Sequence, residues 1–122
     1  MPTILVIDDE PNIADNLADL IQIMGHEVQT ATDGREGIAQ CRALAPDLVI
    51  CDVMMPDVDG HEVLKTIRDT NDLAGTPFIF LTANANLNDQ QQGGMQRADA
   101  HLTKPFDVNE LLALIDQFLA DA

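Results

Sequence analysis

Three short apolar runs and one short mixed stretch in this 122-residue chain stop at residues that can do chemistry. Ile4–Ile7 runs into Asp8-Asp9, Leu48–Cys51 into Asp52, Phe78–Leu81 into Thr82, and His101–Thr103 into Lys104. If the runs are neighbouring strands, three carboxylates converge in one cleft, and their repulsion is costly unless a cation sits among them. Oxygen-only ligands select a hard ion, Mg²⁺ or Mn²⁺, that keeps several waters and can share its sphere with a phosphate. Lys104 brings a positive point charge and Thr82 a hydroxyl, both natural partners of phosphoryl oxygens. An Asp carboxylate can carry a phosphoryl group as an acyl phosphate.

The elements that must position these residues alternate regularly. Thr3–Ile7 is a continuous apolar, β-branched run, as in a strand buried on both faces. Pro11 then suits a first helical turn, Ala14, Leu17, Ala18 and Ile21 recur at helical spacing, and Gly25 ends the helix after Met24. Glu27–Ala31 reads as a second strand. Asp33-Gly34 turns into a helix with Ile38, Cys41 and Leu44 that Pro46 stops. After Leu48–Cys51 comes a loop rich in Pro, Asp and Gly, then a helix marked by Val63, Leu64 and Ile67. The fourth strand is Phe78–Leu81. The segment 84–97 has Leu87 and Met95 as its only large apolar residues and is expected to be a marginal fourth helix. His101–Thr103 is a fifth strand, and Asp107 with Glu110 opens a last helix in a capping-box pattern. Five βα units in series predict an α/β fold with a parallel sheet and helices on both faces. In such sheets the ligand site lies beyond the carboxyl ends of the strands, where all the candidate residues stand.

The whole chain, residues 1–122, reads as one domain with no output domain. Apolar residues make up 46% of it, which excludes a disordered chain, while 21 acidic against 6 basic residues give a net charge of -15. That charge argues against direct nucleic-acid binding. No apolar run approaches the roughly 18 residues of a membrane span, and no basic leader precedes the first strand. Cys41 and Cys51 are too few for a disulfide framework, so a cytoplasmic location is expected. Without Trp or Tyr, an aromatic cofactor cradle is not expected.

Four stretches together resemble the receiver domain of two-component response regulators. They are Ile4-Leu5-Val6-Ile7-Asp8-Asp9-Glu10, Asp52-Val53-Met54-Met55-Pro56-Asp57-Val58-Asp59-Gly60, Leu81-Thr82-Ala83 and Thr103-Lys104-Pro105-Phe106. The resemblance implies a flavodoxin-like (βα)₅ fold with strand order 2-1-3-4-5. It implies that Asp52 accepts a phosphoryl group from a sensor histidine kinase, a histidine phosphotransfer protein or a small acyl phosphate. Asp9, Asp52 and the Met54 backbone carbonyl would ligate Mg²⁺ directly, and Asp8 mainly through water. Thr82 and Lys104 would bind phosphoryl oxygens. Thr82 and His101 would form the switch, which reshapes the face of the fourth helix, fifth strand and last helix for a downstream protein target. The partner would dock at Asn12, Ile13, Asn16, Pro105 and Phe106. The Lys104-Pro105 peptide is usually cis in such domains. They are signalling domains rather than enzymes, although they support their own Mg²⁺-dependent phosphorylation and autodephosphorylation.

Some positions depart from the family pattern. His101 replaces the usual Tyr or Phe, Arg97 replaces a Gly, and Met54 and Asn84, two residues past Asp52 and Thr82, carry no acid to orient water. Several plainer readings compete. Asp8-Asp9 alone could be a helix N-terminal pair, and Ile13 could join Leu17 and Leu20 in a second packing stripe. Asp57-Val58-Asp59-Gly60 hints at a calcium loop, but with Gly60 at loop position six, Met55 and Thr66 would occupy ligand positions one and twelve. Asp59 is expected to cap a helix, Cys51 to be a packed thiol, Met54-Met55 to pack in their loop, and His26 and His61 to lie at the surface. A flavodoxin lacks support in the Asp-Asp-Glu-Pro loop, an aspartyl-phosphate phosphatase in Met54, and a P-loop NTPase throughout. The serious alternative is a pseudo-receiver that is never phosphorylated and acts as a constitutive interaction module. Such chains lose an acid, the Thr or the Lys, all of which are present here.

Overall fold

The computed structural model describes residues 2–82, 98–104 and 107–119. Its elements are β1 (Thr3–Ile7), α1 (Pro11–Ile23), β2 (Glu27–Ala31), α2 (Gly34–Leu44), β3 (Leu48–Asp52), α3 (Gly60–Asp69), a single 3₁₀ turn (Asn71–Leu73), β4 (Phe78–Thr82), β5 (Ala100–Thr103) and a C-terminal helix (Val108–Leu119). The strands form one parallel sheet in the order β2-β1-β3-β4-β5. The helix expected over 84–97, with Asn84 and Arg97, lies outside the described residues, as do Pro105, Phe106 and the Lys104-Pro105 peptide.

Side chains alternate across the sheet and divide the core in two. Ile4, Val6, Ile50 and Leu81 pack with Leu17 of α1 and Leu111 and Ile115 of the C-terminal helix. Leu5, Ile7, Cys51 and Phe80 pack on the other face with Cys41 of α2 and Val63 and Ile67 of α3. Burying one such Leu, Ile or Phe contributes about 1.5–3 kcal/mol, so the inner strands are fixed by both faces. Among the described residues, no helix is long and apolar enough to cross a membrane.

The helix boundaries follow from local chemistry. Pro11 occupies the first turn of α1, and Gly25, with φ of 94°, turns the chain beyond its end. Asp33 and Asp59 cap α2 and α3, accepting from the N–H groups of Glu36 and Glu62 at 2.7 and 3.0 Å. Asp107 Oδ1 accepts from Asn109 N–H at 2.8 Å at the start of the C-terminal helix. α2 ends at Leu44, ahead of Pro46: Ala45 is left-handed, with φ of 47°, and its N–H donates to the Cys41 carbonyl.

The two histidines expected at the surface are half-buried instead. His61 packs edge-on against Phe80 with ring centroids 4.9 Å apart, and its Nε2 is enclosed without a hydrogen-bond partner. His26 Nδ1 is enclosed in the same way. The two loop methionines also part company, with Met55 buried and Met54 exposed. Met55 joins the α2–α3 side of the core, and only it fulfils the expected packing role.

Candidate functional site

Strand register assembles the site. Ile7 pairs with Cys51, so the next residues, Asp8 and Asp52, stand side by side. Asp52 pairs with Leu81, and Thr82 with Thr103, which brings Thr82 and Lys104 to the same sheet end. Backbone bonds extend this order past the strands: Asp8 N–H donates to the Ala31 carbonyl at 3.0 Å, Val53 N–H to Leu81 at 3.0 Å, and Lys104 N–H to Thr82 at 2.7 Å.

Asp8 and Thr82 are buried, as is Asp52, while Asp9 is half-buried. Carboxylate oxygens of Asp8, Asp9 and Asp52 lie within 4.8 Å of one another. Lys104 Nζ sits 3.0 Å from Asp8 Oδ2 and 3.3 Å from Asp52 Oδ2, bridging the two acids. The other oxygens are held by the backbone: Asp8 Oδ1 accepts from Glu10 N–H at 2.9 Å, and Asp52 Oδ1 from Met54 N–H at 3.3 Å.

One ammonium cannot neutralise three carboxylates. Burial, followed by the charge of Asp8, pushes the Asp52 carboxyl up to about 6, against the opposing pull of Lys104 and the Met54 N–H. For Lys104, burial is the largest influence and disfavours the charge, but the Asp8 hydrogen bond and the charges of Asp52 and Asp8 outweigh it and raise its pKa. A crowded all-oxygen cluster with an excess of negative charge fits a hard divalent cation.

The expected site residues Asp8, Asp9, Asp52, Thr82 and Lys104 therefore meet at one sheet end. His101 lies on β5 opposite Phe80, half-buried, with ring centroids 5.9 Å apart. Asn12 and Asn16 are exposed, whereas Ile13 is half-buried and packs with Leu20 against the α1 side of the core. That packing is the second-stripe role.

Two features were missed in the sequence. Lys104 contacts Asp8 more closely than Asp52, a contact that only the register between distant strands fixes. Gly60 N–H donates to the Val53 carbonyl at 2.9 Å, and a Cβ at Gly60 would come 2.4 Å from the Asp52 carbonyl oxygen and 2.9 Å from Val53 Cα. The first turn of α3 thus lies directly on the backbone of Asp52. A glycine just after the capping Asp59 was the available signal.

The response regulator receiver domain family model matches residues 4–116. Among curated proteins, the DNA-binding dual master transcriptional regulator RpaA of Synechocystis sp. is 43% identical over 119 residues, covering 98% of this chain and 49% of RpaA. The chain spans about half the length of the curated relatives it matches. Among solved structures, the chemotaxis protein CheY4 of Vibrio cholerae superposes with a TM-score of 0.90 at 34% identity, covering 98% of this chain and 99% of that one. The response regulator TrrA of Thermotoga maritima, solved in complex with Mg(2+)-BeF, gives a TM-score of 0.84 at 34% identity, covering 98% of this chain and 100% of that one.

Proposed function

Because this chain belongs to the response regulator receiver domain family, we propose that Asp52 accepts a phosphoryl group from a phosphohistidine of a sensor histidine kinase or histidine phosphotransfer protein, or from a small acyl phosphate. The observation that carries this reading is the Asp8–Asp9–Asp52 cluster with Lys104 Nζ 3.3 Å from Asp52. In the transfer, an Asp52 oxygen attacks phosphorus, the P–N bond breaks, and its electron pair returns to the imidazole.

Asp8, Asp9, Asp52 and the Met54 carbonyl would hold Mg²⁺ or Mn²⁺. The ion, when bound, supplies positive charge to the transferring phosphoryl oxygens. Lys104 exchanges its contacts with Asp8 and Asp52 for a phosphoryl oxygen, and the Thr82 hydroxyl donates to another. Phosphorylation adds about -1.5 to -2 charges at a sheet end already crowded with acids. The pull on Thr82 and Lys104 is relayed through β5 and His101 to the neighbouring protein-interaction face, as a shift between two pre-existing states. Asn12, Ile13 and Asn16, with Pro105 and Phe106, would receive the phosphodonor, with Ile13 serving the core as well.

RpaA is named a DNA-binding regulator, and the chain covers 49% of it. With a net charge of -15, this domain would leave any DNA contact to the part of such a relative that it does not match. The pseudo-receiver reading is disfavoured because all five site residues are present and meet. The test is intact-mass measurement after incubation with Mg²⁺ and acetyl phosphate. One acid-labile phosphoryl group is expected on the wild type and on Asp57→Asn and Asp59→Asn, and none on Asp52→Asn. Normal labelling of Asp52→Asn overturns the assignment.

A further inference from the structure

We infer that Arg68 is a positioning residue for Lys104: with Asp99 it clamps the start of β5, and so fixes the strand that carries Lys104 into the acidic cluster. The part of Lys104 in transfer rests on the reading of Asp52 as phosphoacceptor. Arg68 stands in the last turn of α3. Its Nη1 donates to the Thr76 carbonyl at 2.6 Å and to the Ala74 carbonyl at 3.2 Å, in the turn that leads into β4. Its Nη2 donates to Asp99 Oδ2 at 3.0 Å. The same Oδ2 accepts from the Phe78 N–H at 2.8 Å, and the Asp99 N–H donates to the Phe78 carbonyl at 2.8 Å. Asp99 thus grips the first residue of β4 from both sides, one residue before β5 begins.

β5 needs the clamp because its packing is thin. It is an edge strand, paired among the described residues with β4 alone. β3 and β4 are buried at every position, whereas β5 buries only Leu102. A slip of one residue turns every side chain of a strand to the other face of the sheet. Packing on both faces opposes such a slip in β3 and β4. In β5 the resistance comes from the two ends. At the carboxyl end Lys104 N–H donates to the Thr82 carbonyl at 2.7 Å. At the amino end stands the clamp, about 16 Å away at the rise of a strand.

This is more than a surface ion pair. The Arg68 side chain is 15% exposed, and its guanidinium serves acceptors on both the turn before β4 and the residue before β5. Charge-assisted bonds shared in this way hold a geometry that an isolated exposed pair does not. The clamp lies at the opposite end of the sheet from the cluster. Its influence on the site therefore runs along β5 to Lys104 Nζ, 3.0 Å from Asp8 and 3.3 Å from Asp52.

Two measurements on the full chain test the inference, both well below the melting temperatures, with circular dichroism confirming the fold of each variant. Hydrogen exchange followed by mass spectrometry reads the strand. In Arg68→Ala, exchange at Ala100–Lys104 should quicken roughly tenfold while β1 and β3 keep wild-type rates. Uniform acceleration across the sheet, or an unchanged β5, overturns the clamp. Labelling with acetyl phosphate and Mg²⁺, followed by intact mass, reads Lys104. Lys104→Ala should slow labelling about tenfold or more, the scale of one hydrogen bond to a charged group. Arg68→Ala should slow it roughly threefold to tenfold, and adding it to Lys104→Ala should slow it no further, since a residue acting through Lys104 then has nothing to position. A merely structural loss slows labelling by the same factor in both backgrounds. That result, or a wild-type rate in Arg68→Ala, overturns the positioning role. Asp99→Asn keeps an oxygen for the Phe78 N–H and drops the charge, and it carries both tests where Arg68→Ala fails to fold. Failure of the wild type to label overturns the phosphoacceptor reading and the part of Lys104 in it, while the exchange result still decides the clamp.

Discussion

Replacing Asp52 with Asn should stabilise the fold at neutral pH while removing the proposed phosphoacceptor. The Asp52 carboxyl is raised from 3.8 to about 6 by burial and by Asp8, and that net shift already includes the attraction of Lys104. Two units correspond to about 3 kcal/mol against the ionised form, which solvent screening at the mouth of the cleft reduces to about 1–2 kcal/mol. Asn matches the neutral carboxyl in shape and leaves Lys104 its 3.0 Å contact with Asp8. For a domain of this size the gain in Tm is about 3–10 °C.

The pH dependence gives the sharper check. A carboxyl with a raised folded pKa binds its proton more tightly in the native state, so wild-type stability falls as pH rises from the unfolded value of 3.8 through about 6. The Asn variant lacks this loss. Thermal unfolding followed by circular dichroism, with chelator present, should show the two proteins alike below pH 4, a gap opening between about pH 4 and 6, and a constant gap above. A variant less stable than wild type at pH 7.5, or a gap already complete at pH 3.5, would refute the reasoning. Saturating Mg²⁺ should reverse the order, since a ligand at 100 times its Kd adds about 2.7 kcal/mol to the protein that binds it.

Asp9→Ala should abolish the rise in Tm on adding Mg²⁺ while shifting the metal-free Tm little, because Asp9 is half-buried and Lys104 bridges the other two acids; a retained Mg²⁺ response would remove Asp9 from the ligand set. Gly60→Ala should cost about 1–3 kcal/mol through overpacking against the Asp52 backbone and slow acetyl phosphate labelling. Gly75→Ala, with nothing within 4 Å of the new Cβ, should unfold like the wild type. Equal denaturation midpoints for the two variants in urea would show that the α3 turn does not press on Asp52.

The β-branched runs made the strands legible, because a strand buried on both faces must be apolar throughout, as Leu48–Ile50 and Phe78–Leu81 are. Asp8, Asp52 and Thr82 were legible for a related reason: the first polar residue after such a run must lie at the strand's carboxyl end, whereas Lys104 follows the mixed stretch His101-Leu102-Thr103. The capping roles of Asp33 and Asp59 also follow from local sequence, since their hydrogen bonds span three residues. What depends on distant partners was not legible. Met54 and Met55 are chemically identical neighbours, and only the course of the loop exposes one and buries the other. His61 reads as a polar residue on a helix, and its burial becomes visible only when Phe80 arrives beside it from β4. Ile13 lies off the stripe of Ala14, Leu17, Ala18 and Ile21, so sequence leaves it either facing a partner or joining Leu17 and Leu20, and the packing of the sheet decides that it helps the core.

The site is built against the stability of its own fold. The strand register places Asp8 and Asp52 side by side, and the sheet buries both where the charge of Asp8 opposes the ionisation of Asp52. Apolar residues at these positions would relieve the repulsion, so this geometry has no rationale in the folded state alone. Lys104 relieves part of it, at 3.0 and 3.3 Å, and in doing so keeps a cation at the point where a phosphoryl oxygen would need one. The residual negative charge suits the cluster to a divalent ion, and on the proposed function the same crowding would turn the arrival of a phosphoryl group into a force on Lys104 and hence on β5. Neutralising any one of the three acids should therefore weaken cation binding and blunt the conformational response together, even where it raises the melting temperature.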